Sequence, residues 1–413
     1  MPTVEGSQHA EWLGQETLRL LRFGRASACG AAGFAWLDSQ GRPQLDAPFD
    51  LWVTCRMTHV YALGTLLGYD WCGPLADHGI AALCGPFNDP AHGGWYSQVG
   101  ADGVATDPTK AAYAHAQVVL AAASAAAAGR PHAADVLRRA LGNQNVHFRD
   151  GVDGMVIDVF NREFTRSDDY RGASANLRTV EAYMAAADLT GDSRWRQRAL
   201  AITERLIDQA DQHDWVVPEH YTTDWRPLAD YNADQPDDQF RPYGWVPGHG
   251  FEWSRLVLQL WAGLGQAAPG WMKPAAESLF RRAYLDAWQE EPVPGFILTA
   301  DWSGRPIIQT RLHWVAAEAV AAAATAYRAT LDPLYHHLYA RWWELIEERF
   351  VDQADGSWHH ELSPNGQPSN DLWEGKPDIY HAVQATLIPR LPLAPSLASA
   401  LRAGLLDSLA PLL

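Results

Sequence analysis

Ala112-Tyr113-Ala114-His115-Ala116-Gln117-Val118-Val119-Leu120-Ala121-Ala122-Ala123-Ser124-Ala125-Ala126-Ala127-Ala128, closed by Gly129-Arg130-Pro131, reads as a helix with almost no wet face. Alanine and leucine favour helix, and a helix that is apolar nearly all round must be covered on both sides. Residues 315–329 (Val315 to Ala329) have the same character. Helices after such breaks differ: from Arg194-Trp195-Arg196-Gln197-Arg198 onward one face is charged and the other apolar. Buried inner and half-wet outer helices are thereby distinguished.

This unit of inner helix, break and outer helix recurs. The breaks fall near Gly68, at Gly129-Arg130-Pro131, Thr190-Gly191-Asp192, Pro269-Gly270 and Asp332-Pro333, roughly 60 to 80 residues apart. Such periodicity marks a repeat architecture. An N-terminal unit, made from the helix before Gly24 and the helix beginning near Trp52, brings the expected number of helical hairpins to six. Between units lie Gly93-Gly94-Trp95-Tyr96, Gly154-Met155-Val156-Ile157, Gly295-Phe296-Ile297-Leu298 and Gly356-Ser357-Trp358-His359. Their alternation and the turns that follow suggest short β-hairpins gathered at one end. The expected fold is all-α, an (α/α)6 barrel with hairpin loops at one mouth; an open solenoid is the rival. No Pro/Ser-rich linker interrupts the pattern, so residues 1–413 are read as a single domain.

Composition removes several function classes. A formal net charge of −17 disfavours nucleic acid and anionic membrane surfaces, which require clustered Lys and Arg. No apolar run reaches the roughly 18 residues of a membrane span, and Met1 to Trp12 lacks the regions of a signal peptide, so a cytoplasmic chain is expected. Cys29, Cys55, Cys72 and Cys84 form no CxxC pair and are read as buried thiols. The histidines show no HExxH spacing, and neither a Walker loop nor a dinucleotide fingerprint is present, so no metal and no nucleotide cofactor is expected. The 19 tryptophans, many beside Gly, Pro, Asp or His, suit a ligand with both apolar and hydroxyl faces, such as a sugar.

Candidate site residues cluster at the starts of inner helices. Trp52 and Arg56 are one turn apart and share a face, one able to stack on a ring and the other to hold an oxygen. Tyr113 offers a hydroxyl, while Asn176 and Arg178 diverge by about 200° on a helix, so only one need point inward. His249 has Glu252 at i+3, a carboxylate able to fix its tautomer. Trp314 and Glu318 are spaced i,i+4, and an inward Glu318 must bind hydroxyls or neutralise an Arg. In the last segment Trp373 precedes His381 and Gln384, which share a face.

Seven ordered segments resemble the N-acylglucosamine 2-epimerase superfamily, and within it the aldose–ketose isomerases of mannose or sulfoquinovose. They are Trp52-x-x-x-Arg56-Met57, Lys110-x-x-Tyr113-Ala114-His115, Tyr170-Arg171-Gly172, Arg241-Pro242-Tyr243-Gly244, Gly248-His249-Gly250-x-Glu252-Trp253, His313-Trp314-x-x-x-Glu318 and Trp373-x-Gly375-Lys376-Pro377-Asp378-x-Tyr380-His381. The resemblance spans nearly the whole chain. It implies an (α/α)6 barrel that isomerises without metal or nucleotide, by acid/base chemistry at C1 and C2 of an opened sugar through a cis-enediolate. By the same resemblance His381 would shuttle the proton, His249 supported by Glu252 would assist ring opening or act as partner acid/base, and Arg56 would stabilise the enediolate oxygen.

One position departs from the family pattern. Related isomerases carry Asn-x-Asn-x-His before Thr-Val-Glu, whereas Ser174-Ala175-Asn176-Leu177-Arg178 stands here. A guanidinium is no base near neutral pH, so Arg178 is expected either to bind an oxyanion or anionic substituent of the substrate or to reduce activity. The expected partner is a neutral monosaccharide, and homo-oligomerisation is left open. A mannose/fructose-type isomerase is the leading function; a sugar 2-epimerase and a non-catalytic carbohydrate-binding protein are the alternatives.

Overall fold

The computed structural model describes residues 2–4, 6–151, 154–394 and 396–408. Six helices form an inner ring: α2 (Leu51–Leu66), α4 (Ala112–Ala127), α6 (Ala173–Thr190), α8 (Pro247–Leu264), α10 (His313–Thr330) and α12 (Tyr380–Leu387). Each packs on the next, and α12 packs back on α2, which closes the ring. The outer helices α1 (Ser7–Gly24), α3 (Cys72–Cys84), α5 (Ala133–Asn143), α7 (Ser193–Gln212), α9 (Met272–Ala287) and α11 (Pro333–Leu345) surround it. A last helix, α13 (Leu397–Arg402), packs on α2, α4 and α6 and places Leu397 and Ala400 near Gln259 and Thr325. The barrel is thereby closed at the C-terminal ends of its inner helices.

Burial follows the two helix types. In α4 every residue except Tyr113 and Ala126 is buried. Helix α7 instead buries one stripe, Trp195, Ala199, Ile202, Thr203, Leu206, Ile207 and Ala210, the spacing of a helix packed on one face. The breaks have local causes: Gly191 ends α6 at φ 71°, and Asp192 caps α7 by accepting the Arg194 N–H. Asp332 does the same for Leu334, with Pro333 in the first turn of α11.

The sixth hairpin differs from its expected composition. Helix α2 belongs with α3, and α1 packs chiefly on α12. The two ends of the chain therefore supply the last pair, a contact no local periodicity reveals. The thiols also differ from expectation: Cys55 and Cys72 are buried, Cys29 is half-buried and Cys84 is exposed, all four unpaired.

Short strands stitch the mouth. Gln98–Val99 pairs with Ala105–Asp107, and Thr299–Ala300 with Pro306–Ile308, as hairpins. Other strands link units: residues just before an inner helix pair with the next loop, as in Lys110–Ala111 with Val159–Phe160, Arg171–Gly172 with His220–Tyr221, and Arg311–Leu312 with Glu361–Leu362. Two loops are also pinned by buried Lys–Asp pairs. Asp89 accepts the Ala91 and His92 N–H groups and meets Lys110 Nζ at 3.1 Å, while Asp352 accepts those of Ala354 and Asp355 and meets Lys376 Nζ at 2.6 Å. These ties fix the starts of α4 and α12, where the site lies.

Candidate active site

The inner-helix starts and the loops above them enclose a cavity of about 510 Å³. Trp52, Arg56, Tyr113, Arg178, His249, Trp314, Trp373 and His381 all line it. The six inner helices and the loop that carries Trp373 thus bring eight of the twelve candidates to one space. Asn176, Glu252, Glu318 and Gln384 lie outside the lining, in the layers that hold it.

Arg56 is the hub of one wall. Its Nη1 donates to Asp378 Oδ2 at 2.9 Å and its Nη2 to Tyr113 OH at 2.7 Å, with His381 Nε2 at 3.3 Å. The guanidinium also lies over Trp52 and Tyr380, 4.8 and 4.9 Å from the ring centroids. Burial would neutralise Asp378, but the Arg56 guanidinium holds its carboxyl below the usual range. A fixed cation beside an imidazole is suited to an oxygen that gains charge.

His381 donates or accepts at two defined atoms. Its Nδ1 is 3.0 Å from Glu318 Oε1, and Glu318 Oε2 accepts from Arg255 Nε at 2.9 Å. The carboxylate fixes the tautomer with Nδ1 protonated and Nε2 free to act as a base. Burial, then the charges of Arg56 and Arg178, pushes the imidazole well below its ordinary value. Arg255 compensates Glu318, so the pair does not reverse that shift.

His249 occupies the contrasting environment. Its Nδ1 lies 3.0 Å from both oxygens of Glu219, and burial is outweighed by the Glu219 charge, so this imidazole titrates above its ordinary value. The Trp314 ring packs against both imidazoles, its centroid 5.2 Å from His249 and 5.9 Å from His381. Two imidazoles in one cavity thus have their proton affinities driven apart.

Four placements differ from the sequence reading. Glu252, expected on His249, is instead gripped by Arg178, whose Nη1 bonds Oε1 and whose Nη2 meets Oε2 at 3.0 Å; Arg255 Nη2 adds a contact at 3.3 Å. Arg178 also reaches Glu181 at 3.5 Å and is only 3 % exposed, so it is not an open anion receptor. Asn176 braces the backbone, accepting the Val156 N–H and donating to Gly172 O, each at 2.9 Å. Gln384 donates to Glu181 Oε1 at 3.1 Å, and Tyr380 OH donates to the other oxygen at 2.6 Å. Glu318 neutralises an Arg, one of its two expected roles.

Sequence reasoning gave no site role to Glu219, His313, His360, Asp50 or Asp158. Glu219 stands in Val216-Val217-Pro218-Glu219-His220, where an acid amid apolar residues is the one local hint. His313 and His360 stack at 3.8 Å in the lining, and burial lowers His313 to about 4. Asp50 and Asp158 line the cavity elsewhere, raised by burial to about 6 and about 8. Trp373 stacks on Trp36 at 6.1 Å and meets Phe240 edge-on at 5.6 Å, giving the mouth an aromatic side.

Comparison with known proteins matches the chain to a family. Residues 32–385 match the model of the N-acylglucosamine 2-epimerase (GlcNAc 2-epimerase) family. A D-mannose isomerase of Pseudomonas cannabina pv. alisalensis is 45 % identical over 401 residues, 96 % of either chain. Another, of Thermobifida fusca, is 44 % identical over 395 residues, 95 % of this chain and 97 % of the relative. A crystal structure of D-mannose isomerase superposes with a TM-score of 0.85 at 27 % identity, covering 94 % of this chain and 98 % of the other. With a family match over most of its length and relatives well above 30 % identity, the chain belongs to the N-acylglucosamine 2-epimerase family.

Proposed function

We propose that the protein is an aldose–ketose isomerase that interconverts mannose and fructose. The observation that carries the reading is the pair of cavity imidazoles beside the Arg56 guanidinium, His381 bonded to Glu318 with its proton affinity lowered by burial and His249 bonded to Glu219 with its own raised by that carboxylate. The relatives named D-mannose isomerase supply the sugar.

In this mechanism the bound pyranose opens: the bond from C1 to the ring oxygen breaks, His249 gives that oxygen a proton, and the anomeric hydroxyl returns one as it becomes the C1 carbonyl. His381 Nε2 then removes the proton from C2. The C2–H electron pair forms the C1–C2 double bond, and the carbonyl oxygen at C1 takes up charge next to Arg56. Such a carbon acid is weak, so base and cation must act together. Transfer of the O2 proton to O1, which opens the C2 carbonyl, and return of the His381 proton to C1 complete the ketose. Trp52, Trp314 and Trp373 offer flat apolar faces to the sugar's C–H groups.

The test is product analysis by chromatography after incubation with mannose, lyxose and sulfoquinovose. Fructose from mannose is the expected product. Glucose would instead indicate C2 inversion, which two imidazoles on one cavity also permit. Where activity requires neutral His381 and charged His249, it falls as pH drops through the His381 value and as pH rises through the His249 value. The acid limb is therefore expected below the ordinary imidazole value of about 6.5 and the alkaline limb above it.

A further inference from the structure

His249 needs a carboxylate to hold its ring, and the nearest in sequence is already taken. Glu252 sits one turn along the same helix, fully buried, with both oxygens bonded to Arg178 and one also to Arg255. An imidazole at position 178 could not grip both oxygens at once; the planar guanidinium can. The arginine therefore removes Glu252 from service.

Glu219 is built to replace it. Its backbone carbonyl accepts the Ala173 N–H at 3.0 Å, and the adjoining His220–Tyr221 strand pairs with Arg171–Gly172, so the residue is anchored to the start of α6. One side-chain oxygen accepts the Val246 N–H at 3.3 Å at the start of α8, and both meet His249 Nδ1. The side chain is 4 % exposed, and among the described residues no Lys or Arg forms an ion pair with it. A buried carboxylate is costly without a partner, and His249 is the charge available to it.

We propose that Glu219 is the positioning residue of His249, fixing the ring with Nδ1 protonated and Nε2 turned to the cavity, in the place that Arg178 denies to Glu252. The inference deepens the isomerase reading above and rests on it for its kinetic readout. Three charges act on His249: Glu219 from the preceding segment, Glu252 from its own helix and Arg178 from α6. Helix α10 presents the uncharged Trp314 ring, with His381 on α12 against the same ring. Glu219 is the one in hydrogen-bond contact.

The experiment compares the wild type with Glu219→Gln and Glu219→Asp. Glutamine keeps an oxygen for the Val246 N–H while removing the charge. Glu219→Gln is expected to lower kcat for mannose conversion by about 10- to 100-fold with KM little changed, comparable to the loss of other groups that orient a functional His. Its alkaline limb moves to lower pH, and Glu219→Asp moves both kcat and limb back toward the wild type. An unchanged limb and kcat in folded Glu219→Gln overturns the proposal. A proton NMR titration of His249 judges it without any substrate: its pKa is expected to fall in Glu219→Gln, and an unchanged value refutes the contact. Failure of the wild type to isomerise mannose, with that fall still observed, counts against the isomerase reading and for the Glu219 contact.

Discussion

Replacing His381 with Asn is expected to lower kcat for conversion of mannose to fructose by about 10²- to 10⁴-fold, the range for loss of a positioned general base. The expectation follows from its Nε2 atom, which faces Arg56 at 3.3 Å while Nδ1 is committed to Glu318. Asparagine preserves a polar side chain near Glu318 but supplies no base. Arg56, Tyr113 and the tryptophans stay in place, so KM should change much less than kcat. Steady-state assay of fructose at saturating mannose measures the effect. A comparable loss in KM alone would mean that His381 binds rather than reacts.

The second large effect concerns stability. Arg178→Met is expected to destabilise the fold by about 3–5 kcal/mol, the cost of breaking a buried ion pair by removing one partner. Glu252 is fully buried, and Arg255, shared with Glu318, is then its remaining cation. Removing both charges in Arg178→Met/Glu252→Leu should recover most of the loss, because an apolar pair leaves no orphaned charge. Denaturant unfolding of the wild type, the single variant and the double variant measures both steps. Equal stability of single and double variants would show that Glu252 is compensated by other groups.

What could be read in advance was what repeats along the chain. The apolar run from Ala112 to Ala128 and the charged stripe after Gly191 set inner and outer helices, because burial on two sides or on one leaves a direct mark on composition. Pairing of α1 with α12 left no such mark, since it joins residues at opposite ends of the chain. The site divides in the same way. Trp52, Arg56, Tyr113, His249, Trp314 and His381 stand in the first two turns of inner helices, and a ring of helices turns those positions toward one space. Partner choice between layers was not legible. Helical spacing brought Glu252 close to His249 yet could not show that Arg178, from another helix, would take both its oxygens. Asn176 illustrates the same limit, since its amide is spent on the Val156 and Gly172 backbone. Glu219 lies thirty residues before His249 in an irregular segment, and only the strand stitch at His220–Tyr221 brings it into contact.

The central claim is that one imidazole, His381, carries a proton between C2 and C1 of the sugar. It is tested most directly by incubating mannose in D2O with the wild type and with His381→Asn and following deuterium in the recovered fructose by NMR. The wild type should place deuterium at a single stereochemical position on C1, and His381→Asn should abolish incorporation and turnover together. Deuterium incorporation and fructose formation that persist at the wild-type rate in folded His381→Asn would contradict proton transfer through His381.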